Sequence, residues 1–549
     1  MNITETLKKL RSPTYSMLER SAYPTNIKSL VAKLDRWRLA LLAFVAAYAA
    51  FLLLDLGYMT IQWDEMPHLY GSLILSNGSF QGYIATYGYY PPLYDIITTG
   101  FFKLLGASAF SGRLTAVAFS LLSIWVVFEF AKRTYGPKTA LIASIVLGVT
   151  PGFFWLSRAA MLETALVFFF SLALFFFFSW LRLGVNKTLV LCGIAVGIGF
   201  LAKYQILVAG LVMFTALVLL NRDRLKAKSS KFLLLPLIAV LVIIPWILVL
   251  YQINGLDKLG ELFYVIQEGG QDRAIYSIRF PQPIFYLVEM TWPYSDVHPV
   301  SLPLYILGLT GLGLWAYRRK TEDKFFLAWF FVVYVFFTLI PNRQWRYVTP
   351  LFPVLAISTA SLLVWSYDKI RNAWKSRQLD VNKKFLKKGA AICIGILTLT
   401  ALAYSSIEAY QMVARDQIHM PTEEAVNYVE NQLHRNESIL VVCAFNFFNK
   451  DMVKFYLHTN ETTQNQVLQY PVMPVDAFTP DFNTTELIIL CEEQKVRYAF
   501  LPEYGGEVPY FRSNMTAMTI YQELTNSSRF SYEHRVGDFP RTITIFSFT

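Results

Sequence analysis

Two adjacent acids and four bases are the residues of this sequence best suited to chemistry. Asp64 and Glu65 follow Trp63, a few residues beyond an apolar run at 39–59 that is long enough to cross a bilayer. A carboxylate in such a place can remove the proton from an attacking hydroxyl group. The basic candidates lie near the ends of later apolar runs: Arg158, Lys203, Arg343 and Arg346. Fixed cations can hold a phosphate and stabilise the negative charge that grows on it as it departs.

Several of these residues also have a plain structural interpretation. An Asp-Glu pair directly after a membrane-length run is typical of a solvated loop. Arg158 has a salt-bridge partner of its own in Glu163, within the next apolar run. Lys203 can extend its ammonium group to the lipid headgroups. The sequence leaves these alternatives open.

The elements that must position these residues are membrane helices. The chain has 549 residues, of which 55% are hydrophobic and 16% charged, outside the usual range of soluble globular proteins. We therefore predict a polytopic α-helical membrane protein. Eleven apolar runs have the length of membrane spans or form pairs joined by a tight turn, and they centre near Ala46, Leu122, Val146, Phe169, Ala195, Val212, Val240, Leu309, Val332, Leu355 and Leu397.

The distribution of Lys and Arg predicts how these spans are oriented. Short cytoplasmic loops retain basic residues, and the basic loops of this chain all fall on one side if all eleven spans are present. The segment 1–36 is then cytoplasmic, 37–411 forms the membrane domain with a first outer loop at 61–112, and 412–549 is extracytoplasmic. The net charge of +11 follows from this topology and from contact with anionic membrane lipids, so it indicates no nucleic-acid partner.

Further candidates for a pocket are polar or aromatic residues that this topology places on the outer face. They are His68, Tyr90, Glu163, Tyr204, Asp296, His298 and Tyr347. Asp296 and His298 are also of types that bind divalent metals, but two such residues are a weak metal signal, and the sequence predicts no complete ligand set. The four bases named above lie on the face where Lys and Arg are normally scarce, which indicates an anion site.

The segment 412–549 is more polar and has the pattern of a small α/β domain. We predict helices at 422–433 and 450–458 and strands at 438–443, 497–501 and 542–548. Asn-x-Ser/Thr triplets agree with an outer location, with chance in an Asn- and Thr-rich segment as the alternative; they begin at Asn436, Asn460, Asn483, Asn514 and Asn526. Cys443 and Cys491 either form a disulfide or are two buried thiols.

The order of several motifs resembles the GT-C membrane glycosyltransferases, and more narrowly the superfamily of protein O-mannosyltransferases and lipid A aminoarabinose transferases. The motifs, spread over roughly residues 37–365, are Trp63-Asp64-Glu65, Tyr90-Pro91-Pro92-Leu93-Tyr94, Gly106 to Arg113, Thr150-Pro151, Arg158 to Glu163, Gly199 to Tyr204 and Arg343 to Pro353. The resemblance implies that Asp64 activates the acceptor as a base and that Glu65 helps to organise the site. It also implies that Arg158 contacts the acid motif or the donor phosphate.

The resemblance has further implications for partners. Lys203, Arg343 and Arg346 are the candidates for binding the donor phosphate. Some relatives bind a divalent metal, so that cofactor stays open. The loop at 252–300 lacks the large β-trefoil insertion of eukaryotic protein O-mannosyltransferases, which weighs against a protein acceptor, and a C-terminal α/β domain is typical of prokaryotic relatives.

The resulting hypothesis is a glycosyltransferase that moves mannose or a related sugar from a polyprenyl- or dolichyl-phosphate donor to an acceptor hydroxyl. The acceptor is a glycan, a lipid or a protein, and the reaction is a single inverting displacement at the outer face of a prokaryotic plasma membrane. A polytopic lipid or solute transporter is one alternative, which favours ionisable groups near the bilayer midplane or broken helices in repeats. A noncatalytic subunit of glycan assembly is another, and in it Asp64 is dispensable.

Overall fold

The computed structural model describes residues 35–220, 231–269, 278–293, 298–375, 381–416, 419–434, 436–444, 447–457, 466–471, 482–504 and 517–549. Helices dominate the chain up to residue 416. They are α1 (Arg36–Leu53), α2 (Met66–Ser76), α3 (Phe80–Tyr87), α4 (Leu93–Leu105), α5 (Ala109–Tyr135), α6 (Pro137–Gly148), α7 (Pro151–Leu156), α8 (Glu163–Leu183), α9 (Asn186–Ala202), α10 (Val208–Leu220), α11 (Leu234–Gly269), α12 (Phe285–Glu289), α13 (Leu302–Arg318), α14 (Thr321–Leu339), α15 (Leu351–Lys375) and α16 (Val381–Asp416). Short 3-10 turns cover Trp63–Glu65, Tyr204–Leu207, Gln282–Ile284 and Trp345–Val348.

All eleven centres of the predicted spans lie within helices. Among the described residues, five helical segments are long and apolar enough to cross a membrane: Arg36–Leu53, Ala109–Tyr135, Glu163–Leu183, Leu234–Ile253 and Leu351–Asn372. Others, such as α6 and α9, are apolar but shorter. The mostly helical membrane architecture is therefore confirmed, whereas the count of eleven crossings stays a prediction.

Large aromatic side chains fill the space between the helices of the bundle. The Phe130 ring of α5 lies 5.0 Å from Phe326 of α14 and 5.7 Å from Phe178 of α8, measured between centroids. Elsewhere the helices approach through small residues, as is common in membranes. A β-carbon at Gly311 of α13 would lie 2.4 Å from the carbonyl oxygen of Ser358 in α15, so glycine is required there. This close packing holds the helices in fixed positions relative to one another.

The first outer loop, 61–112, is structured. Its apolar stretches form α2 and α4, and α3 lies between them. Ser79 precedes α3, while Pro92 precedes α4, where a fixed backbone angle suits a helix start. The 3-10 turn Trp63–Glu65 leads directly into α2, so the acid pair sits at the start of a packed helical element.

The C-terminal part contains a mixed five-stranded sheet. Its elements are α17 (Thr422–Glu430), β1 (Ser438–Val442), α18 (Lys450–Leu457), β2 (Val467–Tyr470), α19 (Thr484–Glu493), β3 (Val496–Tyr504), α20 (Ala517–Asn526), β4 (Phe530–Val536) and β5 (Arg541–Phe548). The strand order is β2-β1-β3-β5-β4, in which β1 pairs in parallel with β2 and β3, while β5 is antiparallel to its neighbours. Cys443 and Cys491 are buried free thiols, which matches the second of the two sequence alternatives.

The sheet domain packs directly on the first outer loop. From α18, Met452 and Phe455 share an apolar cluster with Ile61, Met66, Leu69, Leu73 and Phe102. The backbone N–H of Met420 donates to Thr60 Oγ1 at 2.7 Å, and the ring of His419 stacks on Tyr58 at 4.8 Å. The segment before the acid pair is therefore held from the C-terminal side as well as by the membrane helices.

Candidate functional site

Asp64 lies on the Trp63–Glu65 turn with its carboxylate half exposed. Its Oδ2 atom is 2.7 Å from Nη2 of Arg346, and the exposed fractions of the two side chains are 53% and 21%. Burial by itself would lower the pKa of Arg346, but the charges of Asp64 and Glu163 raise it above its ordinary value. The two residues predicted separately as a base and as a phosphate-binding cation are thus in direct contact.

Glu65 is fully buried and accepts four hydrogen bonds. Its Oε1 atom accepts from Arg113 Nε at 2.8 Å and from the backbone N–H of Ala160 at 2.7 Å. Its Oε2 atom accepts from Arg113 Nη2 at 2.8 Å and from the N–H of Gln62 at 3.0 Å. Because both oxygens are fully engaged in the interior, Glu65 is suited to fixing the turn and not to taking a proton.

Arg113 is the partner of the acid motif that sequence reasoning missed. Besides Glu65, its guanidinium donates to the carbonyl oxygens of Leu56, Met59 and Thr60 at 2.8, 2.9 and 3.2 Å. It lies near the N-terminal end of α5, within the motif Gly106 to Arg113. A single cation near the end of an apolar helix was the available signal.

Arg158 is buried, and among the described residues it makes no hydrogen bond to the acid motif, so the predicted contact with that motif is wrong; the alternative, a contact with the donor phosphate, stays a prediction. Its Nη1 donates to the carbonyl oxygens of Phe51 and Leu52 at 3.1 and 2.8 Å, and Nη2 lies 3.7 Å from Met59 Sδ. These carbonyls end α1, where a cation also complements the helix dipole. Arg158 therefore closes the first helix.

Glu163 pairs with Lys203 and not with Arg158. Lys203 Nζ is 2.8 Å from Glu163 Oε1, and both side chains are largely buried. The alternatives of an Arg158–Glu163 salt bridge and of a Lys203 that reaches only to headgroups are therefore wrong. The charge of Glu163 also helps to raise the pKa of Arg346. The four groups Asp64, Arg346, Glu163 and Lys203 are therefore alternately negative and positive.

The remaining candidates fall into separate neighbourhoods. Arg343 Nε donates to the Thr338 carbonyl at 3.2 Å, and its guanidinium lies 5.9 Å from the centre of the Phe285 ring. Tyr347 accepts a hydrogen bond from Asn342 at 3.3 Å. His298 contacts Glu408 at 3.5 Å, and Asp296 lies outside the described residues.

His68, Tyr90 and Tyr204 lie around the first outer loop. His68 Nδ1 is 2.9 Å from Asp95 Oδ1, and its ring meets that of Tyr90 edge-on at 5.1 Å. Tyr204 donates to the Tyr89 carbonyl at 3.1 Å. Asp95 was missed because it lies in an amphipathic helix, where an acid normally faces solvent.

The described residues provide no group of three or more His, Cys, Asp or Glu side chains that could hold a metal ion. His68 with Asp95 and His298 with Glu408 are pairs only. Within the described part of the chain neither pair amounts to a divalent-metal site, and no step of the chemistry is assigned to a metal.

Comparison with known proteins adds independent findings. Residues 90–249 match the family model described as dolichyl-phosphate-mannose-protein mannosyltransferase. The undecaprenyl phosphate-alpha-4-amino-4-deoxy-L-arabinose arabinosyl transferase of Pectobacterium atrosepticum is 26% identical over 266 residues, covering 47% of this chain and 46% of that protein. The similarly named protein of Proteus mirabilis is 25% identical over 328 residues, covering 58% and 55% of the two chains. The chain thus spans about half the length of these curated relatives.

Solved structures show the same fold over nearly the whole chain. The structure of ArnT from Cupriavidus metallidurans bound to undecaprenyl phosphate has a TM-score of 0.63 at 16% identity, covering 92% of this chain and 97% of that one. The oligosaccharyltransferase AglB from Archaeoglobus fulgidus, in complex with an inhibitory peptide and a dolichol-phosphate, has a TM-score of 0.55 at 13% identity, covering 85% and 69%.

The helical bundle, the acid motif on the first outer loop and these similarities define a membrane protein of the GT-C fold. The chain has this fold and is similar in sequence to membrane glycosyltransferases over about half of its length.

Proposed function

We propose that this protein transfers a sugar from a polyprenyl-phosphate donor to the hydroxyl group of an acceptor, with Asp64 as the base. The 2.7 Å contact between Asp64 and Arg346 carries the proposal. It brings a half-exposed carboxylate and a cation together at the outer end of the bundle, which are the two groups that such a transfer needs.

The reaction is a single displacement at the anomeric carbon of the sugar. The acceptor oxygen forms a bond to this carbon as the bond from the carbon to the phosphate oxygen breaks, and the polyprenyl phosphate leaves with the bonding electrons. Asp64 takes the acceptor proton. Attack opposite to the leaving group inverts the anomeric configuration. Arg346 and Lys203 stabilise the charge that develops on the phosphate.

Three further residues position these groups. Glu65 and Arg113 hold the Trp63–Glu65 turn to α5 and to the backbone at Ala160, which fixes the direction of Asp64. Arg158 holds the end of α1, from which this segment departs. All three are positioning residues, since their contacts are made within the protein.

The names of the matched proteins support the proposed class of donor. The curated relatives are named for undecaprenyl phosphate aminoarabinose, and the family model for dolichyl-phosphate mannose, so lipid-linked phosphate is their shared feature. Mannose or a related sugar is proposed, with a glycan, a lipid or a protein as the acceptor. We place the site at the outer face of a prokaryotic plasma membrane, with the C-terminal sheet domain on the same side.

The test uses the purified full chain in lipid nanodiscs with undecaprenyl- and dolichyl-phosphate mannose and undecaprenyl-phosphate aminoarabinose. Release of polyprenyl phosphate is followed by mass spectrometry, with a membrane extract as the source of acceptors. Asp64→Asn should lose turnover by at least a hundred-fold, on the order of the loss of a general base, while keeping its fold. Full turnover in Asp64→Asn would refute the base, as a noncatalytic subunit predicts.

Asp368→Asn is a matched control for charge removal. Asp368 is an exposed aspartate 3.7 Å from the cation of Lys138, and its exposed fraction of 45% is close to that of Asp64. It lies near the C-terminal end of α15, whereas the acid motif is near the N-terminal end of this helix, at Leu351. Its substitution should leave turnover unchanged.

A further inference from the structure

His68 and Asp95 form a buried pair near the acid motif. Neither residue has a role in the transfer reaction proposed above. His68 Nδ1 is 2.9 Å from Asp95 Oδ1, and the Tyr83 hydroxyl donates to Asp95 Oδ2 at 2.7 Å. Asp95 and Tyr83 are completely buried, and His68 is 3% exposed. A buried carboxylate requires such partners, so the three side chains form one connected unit.

This arrangement fixes which nitrogen of His68 is available. Both oxygens of Asp95 act as acceptors, so Nδ1 must carry a hydrogen, and Nε2 is the ring atom left to meet a ligand. Among the described residues nothing forms a hydrogen bond with Nε2. A neutral His68 therefore presents Nε2 as an oriented hydrogen-bond acceptor.

The position of His68 connects it with the proposed site. It follows Asp64 by one helical turn, at the start of α2. Tyr90 links the two: its ring contacts His68, and its hydroxyl experiences the charges of Asp64 and Arg346. Burial, reinforced by Tyr89 and Asp64, raises the pKa of Tyr90 above its ordinary value, so this hydroxyl stays protonated. In the proposed reaction the sugar is bonded to the phosphate that Arg346 receives and is attacked by the hydroxyl that Asp64 deprotonates, so the donor sugar must lie beside this pair.

We infer that His68 Nε2 accepts a hydrogen bond from a hydroxyl group of the donor sugar, with Asp95 and Tyr83 fixing the imidazole. The inference rests on the proposed function and adds the residue that distinguishes a sugar-bearing lipid phosphate from a bare one. As the bond from the sugar to the phosphate breaks, positive charge grows on the sugar and its hydroxyl groups become stronger donors. The hydrogen bond to His68 then strengthens in the transition state, which raises kcat as well as affinity.

The experiment compares binding of undecaprenyl-phosphate mannose, undecaprenyl-phosphate aminoarabinose and bare undecaprenyl phosphate to the full chain in nanodiscs, without any acceptor. His68→Asn is the test variant, because its amide nitrogen can still donate to Asp95 but places nothing at the position of Nε2. The preference is the ratio of the affinity for a sugar-bearing lipid to the affinity for bare undecaprenyl phosphate. We expect this ratio to fall by roughly five- to ten-fold in His68→Asn, as for the loss of one hydrogen bond. Affinity for bare undecaprenyl phosphate should not change.

Tyr83→Phe is the control for loosening of the buried unit. It removes one hydrogen bond to Asp95 without touching His68 and should lower thermal stability while keeping most of the preference. Monodeoxy analogues of the preferred sugar then identify the hydroxyl: one analogue should bind worse than its parent to the wild type but equally well to His68→Asn.

Three outcomes would overturn the inference while leaving the transferase proposal intact. They are an unchanged preference in His68→Asn, an equal loss for the bare and sugar-bearing lipids, and a wild type that binds all three lipids with one affinity. A wild type that binds none of the lipids would instead refute the proposed function itself.

Discussion

The carboxylate of Asp64 and the guanidinium of Arg346 lie 2.7 Å apart, although the two residues belong to opposite ends of the membrane domain in sequence. While this pair is intact, the base is held by the cation that is proposed to receive the donor phosphate. A bound phosphate would compete with Asp64 for Arg346. The ion pair thus connects donor binding with the freedom of the base.

Arg346→Gln should weaken the binding of undecaprenyl phosphate and reduce kcat with any accepted donor. One charged hydrogen-bond donor to a developing oxyanion contributes on the order of a hundred- to a thousand-fold in kcat. Arg346→Lys keeps the charge but not the planar fork, so it should recover only part of the loss. Measured donor affinity and kcat equal to those of the wild type would rule out the phosphate role.

Glu65→Gln should destabilise the fold, unlike Asp64→Asn. It leaves the buried guanidinium of Arg113 without its counter-ion, and breaking a buried pair costs about 3–5 kcal/mol. Thermal unfolding in detergent should show a clearly lower midpoint for Glu65→Gln and a nearly unchanged one for the exposed Asp64→Asn. The double variant Glu65→Leu/Arg113→Leu should recover part of the stability, and equal midpoints for Glu65→Gln and the wild type would contradict the assigned role.

Arg158→Met should lower stability and leave the affinity for undecaprenyl phosphate unchanged. The variant removes two hydrogen bonds to the last carbonyls of α1, an effect of about 1–3 kcal/mol. Unfolding midpoints and lipid affinity, measured on the same preparation, separate the two roles. A variant of normal stability that no longer binds the lipid phosphate would restore Arg158 to the donor site.

Lys203 neutralises Glu163 and is proposed to bind the donor phosphate. A double substitution separates these two roles. Lys203→Met leaves the buried carboxylate of Glu163 unpaired and should impair both stability and donor use. Lys203→Met/Glu163→Gln removes that unpaired charge, so we expect stability to return while donor affinity stays low. Recovery of both quantities would show that Lys203 only neutralises Glu163.

Much of the fold could be predicted because it depends on local pattern. Apolar runs placed every span centre within a helix, and a short apolar run predicted β1, which is buried along its whole length. The strand β4 was missed, since most of its side chains are exposed and only its pairing with β5 makes it a strand. The elements with an apolar signature were visible, and those made by tertiary contact were not.

The candidate site divides in the same way. The types of Asp64 and Arg346 and their predicted outer location were sufficient to nominate them, but nothing in the sequence specifies that they touch. Arg158 was assigned by analogy to the acid motif, whereas its charge is used on backbone carbonyls. Arg113 and Asp95 were overlooked because their buried partners, Glu65 and His68, are distant in the sequence. Such a pair is recognised only when both partners are seen together.

The packing of α18 against the first outer loop has a consequence for any attempt to dissect the protein. Met452 and Phe455 complete the same apolar cluster as Ile61 and Met66, the residues that flank the acid motif on either side. The sheet domain is therefore not a detachable module. A truncation before α18 would expose the loop that carries Asp64, so loss of activity in such a fragment would measure a damaged centre and not a missing acceptor-binding surface. Chimeras that exchange this domain between homologues must carry the matching face of α2 with it.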